Sequence, residues 1–281
     1  MNHDLYPSSH TWKYENYTIS ERADNLTAGL PLPPHKFYLS ILAMFKNEGP
    51  IMKEWLDHHI AHGIEHFYLI NDHSFDNVTA ILEPYVEKGL ITMFPPPSVR
   101  TPFRQTAIYK SIIMKMLVRN ISKWVAIMDL DEFLYSPEEV DIRVILRKHE
   151  KLSLVGLTWA WFGSNGHTGQ PSNIVQSFTK RADFNYSLYP DLVKEYKALK
   201  TTPNHNSDWQ KFILNMDSKI HTVDIHSAYV DGTIDNLSEQ RYPGNPPLVL
   251  NHYSGMYYAL YFFLFIMHRK TNPFILLCST I

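Results

Sequence analysis

Three carboxylates lie within four residues of the chain, directly after an apolar run. Residues 124–128 are followed by Asp129, Asp131 and Glu132. Like charges at this spacing need a cation, a proton or strong hydrogen bonds to coexist. Carboxylate oxygens suit Mg²⁺ or Mn²⁺, which keep coordination positions open for phosphate groups. The segment therefore indicates a divalent-metal site for a phosphorylated ligand, and a solvated turn at a strand end is the simpler alternative.

The elements around this acidic segment predict where it lies in the fold. Residues 124–128 are apolar throughout, which is typical of a strand buried on both faces of a parallel sheet. Before them, strands are expected at 37–45, 66–70 and 90–94, and helices at about 50–62, 78–86 and 104–120. This alternation indicates βαβ units and a largely parallel sheet. The carboxylates then follow the carboxyl end of a strand, where ligands of such sheets bind.

The regions outside this alternation are expected to be less regular. Residues 1–36 show no sustained periodicity and end in a proline-rich stretch, so we predict an N-terminal arm or linker. A strand is expected at 153–162, and residues 170–247 are expected to mix short strands with loops. The apolar run at 257–267 is shorter than the about 20 residues that span a bilayer. It predicts a buried helix, with a peripheral membrane contact as the alternative.

Composition narrows the class of protein. With 44% hydrophobic and 19% charged residues, the chain has the composition of a globular protein. Its formal net charge of −2 and its lack of a Lys/Arg cluster argue against nucleic-acid binding. A single cysteine, Cys278, excludes an internal disulfide framework and a cysteine-based zinc site. No apolar signal segment is visible near the N-terminus, so a cytoplasmic location is expected. A peripheral association with a membrane is the alternative.

An ordered set of motifs runs through the chain. The motifs are Phe45–Glu48, Glu54–His59 with Gly63, Asn71–Asp76, Trp124 with Asp129–Phe133, Trp161–His167 and Asn251–Tyr253. Taken in this order, they resemble glycosyltransferase family 92, within the family 2-like glycosyltransferases. The resemblance covers about residues 37–253 and implies a GT-A fold over 37–281, the Rossmann-like fold of nucleotide-diphospho-sugar transferases. It divides this domain into a nucleotide-sugar-binding half at 37–135 and an acceptor-binding half with the tail at 136–281.

The resemblance also implies which residues bind metal and donor. The metal ligands would be Asp129, Asp131 and His252, with Asp131 touching Mn²⁺ or Mg²⁺ directly. The donor-binding residues would be Lys46, Asn47, Glu48, Asp72 and Asp129. To these we add Arg104 and Gln105 from their own chemistry, because they begin the helix before the acidic strand, where an arginine can hold phosphate bidentately. A surface arginine near a helix start is the alternative.

The catalytic base and the acceptor subsite are assigned to loops. Asp208 and His167 are the candidate bases, followed by Glu132, which is alternatively a residue that orients the metal shell. Trp161, Phe162, Gly163 and His167 form the candidate acceptor subsite, because an aromatic ring can stack on a sugar face. A plain turn at a strand end is the alternative there.

The function that the resemblance implies is a hexosyltransferase. It would move a sugar from a nucleotide-sugar donor, a UDP-sugar such as UDP-galactose or UDP-glucose, to a hydroxyl of a glycan, with inversion. After Tyr253 the chain departs from the pattern of the family, because 254–256 lead into the apolar run at 257–267. The alternative is therefore a catalytically impaired relative that binds nucleotide sugars or carbohydrate.

Overall fold

A seven-stranded sheet forms the centre of the described part of the chain. The computed structural model describes residues 35–95, 104–114, 118–167, 169–181, 209–238 and 246–253. The strands are β1 (Phe37–Phe45), β2 (His66–Asn71), β3 (Ile91–Phe94), β4 (Ser122–Ile127), β5 (Glu132–Tyr135), β6 (Leu152–Leu157), β7 (Trp159–Trp161), β8 (Lys211–Asn215), β9 (Ile220–Val223), β10 (Ala228–Val230), β11 (Thr233–Asn236) and β12 (Val249–His252). The helices are α1 (Gly49–Ala61), α2 (Val78–Glu87), α3 (Arg104–Met114), α4 (Ile142–Lys148) and α5 (Ile174–Ser177).

The central sheet is mainly parallel. Its strand order is β11-β6-β8-β4-β1-β2-β3, and only β8 runs antiparallel to its neighbours, β4 and β6. The remaining strands form two smaller sheets, β5-β12-β7 and β9-β10. The prediction of an α/β fold with a largely parallel sheet and helices beside it is thereby confirmed.

Both faces of the central sheet are buried, as the apolar strands predict. Along β1, Leu39 and Ile41 pack into the core that contains Trp55 of α1, whereas Leu42 packs into the core that contains Ile112 of α3. Side chains alternate between the faces of a strand, so a strand covered on both sides reads as a continuous apolar run. The acidic residues after β4 therefore follow a strand whose side chains are packed on both faces.

Two predictions about elements need correction, and one strand pairing was not foreseen. The helix expected at 104–120 is too long, because Val118 begins a turn in which its carbonyl accepts backbone hydrogen bonds from Ile121 and Ser122. The strand expected at 153–162 is divided between β6 in the central sheet and β7 in the small sheet. Short strands were expected after residue 170, but not that β8 would enter the central sheet between β4 and β6. Strand pairing depends on tertiary contacts, which local patterns do not encode.

Two predicted segments lie outside the described residues. These are residues 1–34 of the arm predicted at 1–36, and the apolar run at 257–267. None of the helices in the described ranges combines the length and the apolar character that crossing a bilayer requires.

Gly63 closes α1 at a position that tolerates no side chain. Its φ is +93°, and a Cβ there would lie 2.2 Å from Oδ1 of Asp141, which accepts a hydrogen bond from the Arg143 N–H and so caps α4. Replacing Gly63 with alanine is expected to lower the free energy of unfolding by about 3 kcal/mol, from left-handed backbone strain plus a weakened cap. Urea denaturation measures this loss.

Gly89 provides the matched control for that substitution. Its φ is +72°, but apart from its chain neighbours no atom in the described part of the chain lies within 4 Å of the place of a Cβ. Gly89→Ala should therefore cost only the backbone strain, about 1 kcal/mol. Equal losses for both variants would contradict a role for the contact between Gly63 and Asp141.

Candidate functional site

The small sheet joins the acid segment to a distant strand. β12 pairs antiparallel with β5, so that His252 stands opposite Glu132, and parallel with β7, so that His252 stands opposite Trp161. The backbone N–H of Tyr253 donates to the carbonyl of Asp131 at 2.8 Å. The register of β12 thus brings His252 beside the carboxylates that follow β4.

Asp131, Glu132 and His252 form a cluster that can hold a metal ion. One ligand atom from each lies within 4.8 Å of the others, and Nε2 of His252 lies 3.2 Å from Oδ2 of Asp131. Two carboxylates and an imidazole suit Mn²⁺ and are compatible with Mg²⁺. The side chains of His252 and Asp131 are 11% and 16% exposed, so both are reachable from solvent. The sequence predicted Asp129, Asp131 and His252 as metal ligands. The structure brings Asp131 and His252 together with Glu132, whereas Asp129 pairs with Lys211.

A buried lysine that the sequence analysis missed contacts the first aspartate. Nζ of Lys211, at the start of β8, lies 2.6 Å from Oδ2 of Asp129 and 3.7 Å from Oε1 of Glu132, and the lysine side chain is fully buried. Burial works to lower the pKa of Lys211, but the charges of Glu132 and Asp129 outweigh it, so that its pKa is raised. Burial likewise works to raise the pKa of Asp129, but the Lys211 charge and hydrogen bond hold it below the usual value. Both groups are therefore charged at neutral pH.

The signal for Lys211 in the sequence was weak. It precedes the apolar residues Phe212, Ile213 and Leu214, which all lie in the core. A lysine next to such a run is rarely buried without a partner. The partner, Asp129, lies two residues after the end of β4, and only the pairing of β8 with β4 shows that the two meet.

Glu132 is engaged inside the protein through both carboxylate oxygens. Its Oε1 accepts a 2.5 Å hydrogen bond from Nε1 of Trp159, and its Oε2 accepts one of 2.8 Å from the backbone N–H of Asp129. The carbonyl of Glu132 accepts a third from Nε1 of Trp55 at 2.9 Å. Burial, together with the Asp129 and Asp131 charges, raises the pKa of Glu132 well above its usual value although Lys211 opposes the shift.

The start of α3 connects two of the predicted donor-binding residues. The guanidinium of Arg104 pairs with both carboxylate oxygens of Asp72, which is buried, while the arginine side chain is 30% exposed. Nε2 of Gln105 donates to Oδ1 of Asp129 at 3.3 Å and to the hydroxyl of Tyr109 at 3.1 Å. The helix that delivers the chain to β4 thus contacts the carboxylates after β2 and β4.

Asn47 ties together the loops that follow β1 and β2. Its φ is +58°, its N–H donates to Oγ of Ser74 at 2.9 Å, and its Oδ1 accepts from the N–H of Phe75 at 2.9 Å. The neighbouring Lys46 is exposed. The carbonyl of Glu48 accepts the first backbone hydrogen bonds of α1. The three predicted residues therefore lie at the carboxyl edge of β1, next to the loop that follows Asp72.

The residues predicted for the acceptor and the base are spread over a longer loop. Trp161 lies against His252, with ring centroids 4.6 Å apart at an angle of 77°, and the ring of Phe162 packs 4.7 Å from that of Tyr253. Gly163 is buried and donates its N–H to the carbonyl of Lys180.

Neither His167 nor Asp208, the two leading candidate bases, is seen in contact with the acidic residues after β4 in the described part of the chain. Nε2 of His167 lies 3.2 Å from the carbonyl of Ser177, and its ring packs on Phe178, so that it contacts its own loop. Asp208 lies outside the described residues. Both assignments stay predictions.

Comparison with known proteins places the chain in a family. The family model described as Glycosyltransferase family 92 matches residues 35–232, which is more than half of the chain. The chain therefore belongs to glycosyltransferase family 92, and the resemblance predicted from its motifs is confirmed. The mixed α/β architecture with a mainly parallel sheet agrees with the GT-A fold implied by that resemblance.

Individual relatives are distant. The chain is 26% identical over 111 residues to a glycosyltransferase family 92 protein of Ricinus communis, covering 39% of this chain and 19% of that protein. It is 23% identical over 141 residues to one of Oryza sativa subsp. japonica, covering 49% and 23%. The matched regions thus span about a fifth of the length of these relatives.

Solved structures were matched as well. Glucosyl-3-phosphoglycerate synthase from Mycobacterium tuberculosis, in complex with Mn²⁺, uridine diphosphate and glucosyl-3-phosphoglycerate, aligns at a TM-score of 0.40 and 12% identity, covering 81% of this chain and 74% of that one. Staphylococcus aureus TarS 1–349 aligns at a TM-score of 0.35 and 15% identity, covering 48% and 38%.

Proposed function

We propose that the chain is a metal-dependent glycosyltransferase of the hexosyltransferase class. Its donor would be a nucleotide sugar, of which UDP-galactose and UDP-glucose are the first to test, its acceptor a hydroxyl of a glycan, and its stereochemical course inversion. The observation that carries this proposal is the pair Asp131 and His252, 3.2 Å apart and each slightly exposed, in a chain of this family. Membership of the family supports the reaction class, and the pair supports the metal.

The residues of the site would bind either the metal or the donor. Asp131 and His252 would hold Mn²⁺ or Mg²⁺, which when bound supplies positive charge to the leaving diphosphate. Asp129 is held by Lys211 and Gln105 and would meet the donor rather than the cation. Asp72 and Arg104 lie beyond it, where Asp72 would meet the nucleoside, and the exposed part of Arg104 would contact phosphate.

The reaction also needs a catalytic base and a subsite for the acceptor. Glycosyl transfer needs a base that takes the proton of the acceptor hydroxyl on the face opposite the leaving group. Trp161, beside His252, would stack on a sugar next to the anomeric carbon. His167 and Asp208 remain the proposed bases. Glu132 is the weakest of the three, because hydrogen bonds already occupy both of its oxygens.

A donor panel tests the proposal. The protein is incubated with Mn²⁺ and, in turn, UDP-galactose, UDP-glucose, UDP-N-acetylglucosamine and GDP-mannose, and the nucleoside diphosphate released by slow hydrolysis is measured. We expect one UDP-sugar to be hydrolysed and to raise the melting temperature, with both effects lost when a chelator removes Mn²⁺. A melting-temperature shift without hydrolysis would favour the impaired, binding-only relative. The absence of both effects with every donor would contradict the proposed function.

A further inference from the structure

We propose that Trp159 is a positioning residue that fixes His252 and Glu132 together and thereby sets the affinity of the site for a divalent cation. The inference rests on the proposed function in one respect, namely that Asp131 and His252 hold the cation. It deepens that function, because the cation affinity would depend on an aromatic side chain that does not itself touch the metal.

The first observation is how the imidazole of His252 is held. A metal-binding histidine usually donates its second ring N–H to a carboxylate, a carbonyl or water, which fixes the ring orientation. In His252, Nε2 faces Asp131, while the buried Nδ1 has no hydrogen-bond partner among the described residues. The ring instead stacks on the indole of Trp159, with centroids 4.3 Å apart and planes 15° from parallel. Stacking therefore takes the place of the usual hydrogen bond.

The second observation is that the same indole also holds Glu132. Its Nε1–H donates to Oε1 of Glu132 at 2.5 Å, while Oε2 is held by the backbone of Asp129. His252 and Glu132 are cross-strand partners in β12 and β5, so one side chain fixes both members of a pair. Both oxygens of Glu132 are turned to donors in the protein, so neither is directed at a cation held by Asp131 and His252. Asp131 and His252 are then the side chains that would bind the cation.

The third observation is that Trp159 cannot easily move. Its backbone N–H donates to Oε1 of Gln210 at 3.1 Å, and its ring meets those of Trp161 and His226 edge-on at 5.0 Å and 5.6 Å. β7 is itself paired with β12. A side chain fixed on this many sides can hold a ligand within the narrow limits that metal coordination needs.

Two substitutions separate the two contacts of the indole. Trp159→Phe keeps an aromatic ring against His252 but removes the N–H that reaches Glu132, whereas Trp159→Leu removes both. Trp124, a fully buried tryptophan in β4, supplies the control Trp124→Phe, which measures the loss of an indole from the core of the central sheet. Near-ultraviolet circular dichroism and melting temperature identify the variants that keep the fold.

The probe is Mn²⁺ alone, titrated into the full chain. Free Mn²⁺ is quantified by electron paramagnetic resonance, and quenching of tryptophan fluorescence by the paramagnetic ion gives a second signal. Loss of a residue that orients a metal ligand commonly weakens metal binding by about 10–100-fold. We expect a weakening in this range for Trp159→Leu, a weakening of a few-fold for Trp159→Phe, and wild-type affinity for Trp124→Phe. In the wild type, part of the quenching should come from Trp159 and disappear in both variants at that position.

The outcomes distinguish this proposal from the proposed function. Folded Trp159→Leu that binds Mn²⁺ as tightly as the wild type overturns the positioning role and leaves the glycosyltransferase proposal standing. If Trp159→Leu fails to fold, Trp159→Phe decides, and an unchanged affinity together with unchanged quenching overturns the role. A wild-type protein that binds no Mn²⁺ overturns both proposals.

Discussion

Replacing Lys211 with methionine is expected to lower the free energy of unfolding by about 2–3 kcal/mol. Removing one partner from a fully buried ion pair costs about 3–5 kcal/mol, and the loss is smaller here because the Asp129 side chain is 37% exposed. Methionine fills a similar volume, so the core around β8 stays packed. Asp129 and Glu132, however, lose the ammonium group that lies 2.6 Å and 3.7 Å from their oxygens. Glu132 is fully buried, so water cannot replace the lost charge. Urea denaturation at pH 7 measures the loss.

A surface lysine gives the comparison for Lys211. Lys219 pairs with Asp231 at 3.2 Å, and their side chains are 72% and 51% exposed. Exposed pairs contribute about 0–1 kcal/mol, so Lys219→Met should change stability by less than 1 kcal/mol. A Lys211→Met protein as stable as Lys219→Met would show that Asp129 and Glu132 do not need the lysine.

Exchanging Asp131 for asparagine is expected to lower donor turnover at least about 100-fold while leaving the fold intact. Asparagine has nearly the same shape, but it lacks the negative charge that would hold a divalent cation with His252, 3.2 Å away. A bound metal contributes several kcal/mol of transition-state stabilisation, and about 2.7 kcal/mol corresponds to a factor of 100 in rate. The measurement is nucleoside diphosphate release from the donor identified in the panel, over a range of Mn²⁺ concentrations.

Asp57 supplies the matched control for Asp131→Asn. It lies on α1, is 49% exposed and pairs with Lys53 one helical turn away. Asp57→Asn should keep turnover near the wild-type value, because the pair is a surface contact outside the candidate site. Should Asp131→Asn retain more than a third of the wild-type turnover at saturating Mn²⁺, the assignment of Asp131 as a metal ligand would be wrong.

The acid segment shows how much of the site local sequence can predict. The strand before Asp129 was predicted from its apolar residues, and the metal role of Asp131 and His252 from charge spacing and the family motifs. These predictions depend on neighbouring residues or on ordered motifs. The structure adds the distance between Asp131 and His252, because the register of β12 against β5 fixes it.

The contacts made by Lys211 and Trp159 show where prediction from the sequence ends. Neither residue belongs to a motif that indicates its partner, and both reach Glu132 from other strands. Strand order and register are decided by packing across the whole sheet rather than by the composition of one strand. The same limit applies to Glu132, whose burial depends on Trp55 of α1 as well as on Trp159.

The pairing of β12 with β5 and β7 has a consequence for the order of folding. This strand supplies His252 and is followed by the Tyr253 N–H that holds Asp131, yet it comes after all the other described strands in the chain. Contacts between residues far apart in sequence carry a large loop-closure entropy and form slowly. During synthesis, the central sheet can therefore assemble before His252 reaches Asp131. Cation binding would then report that the last strand has docked, and would stabilise that step by mass action.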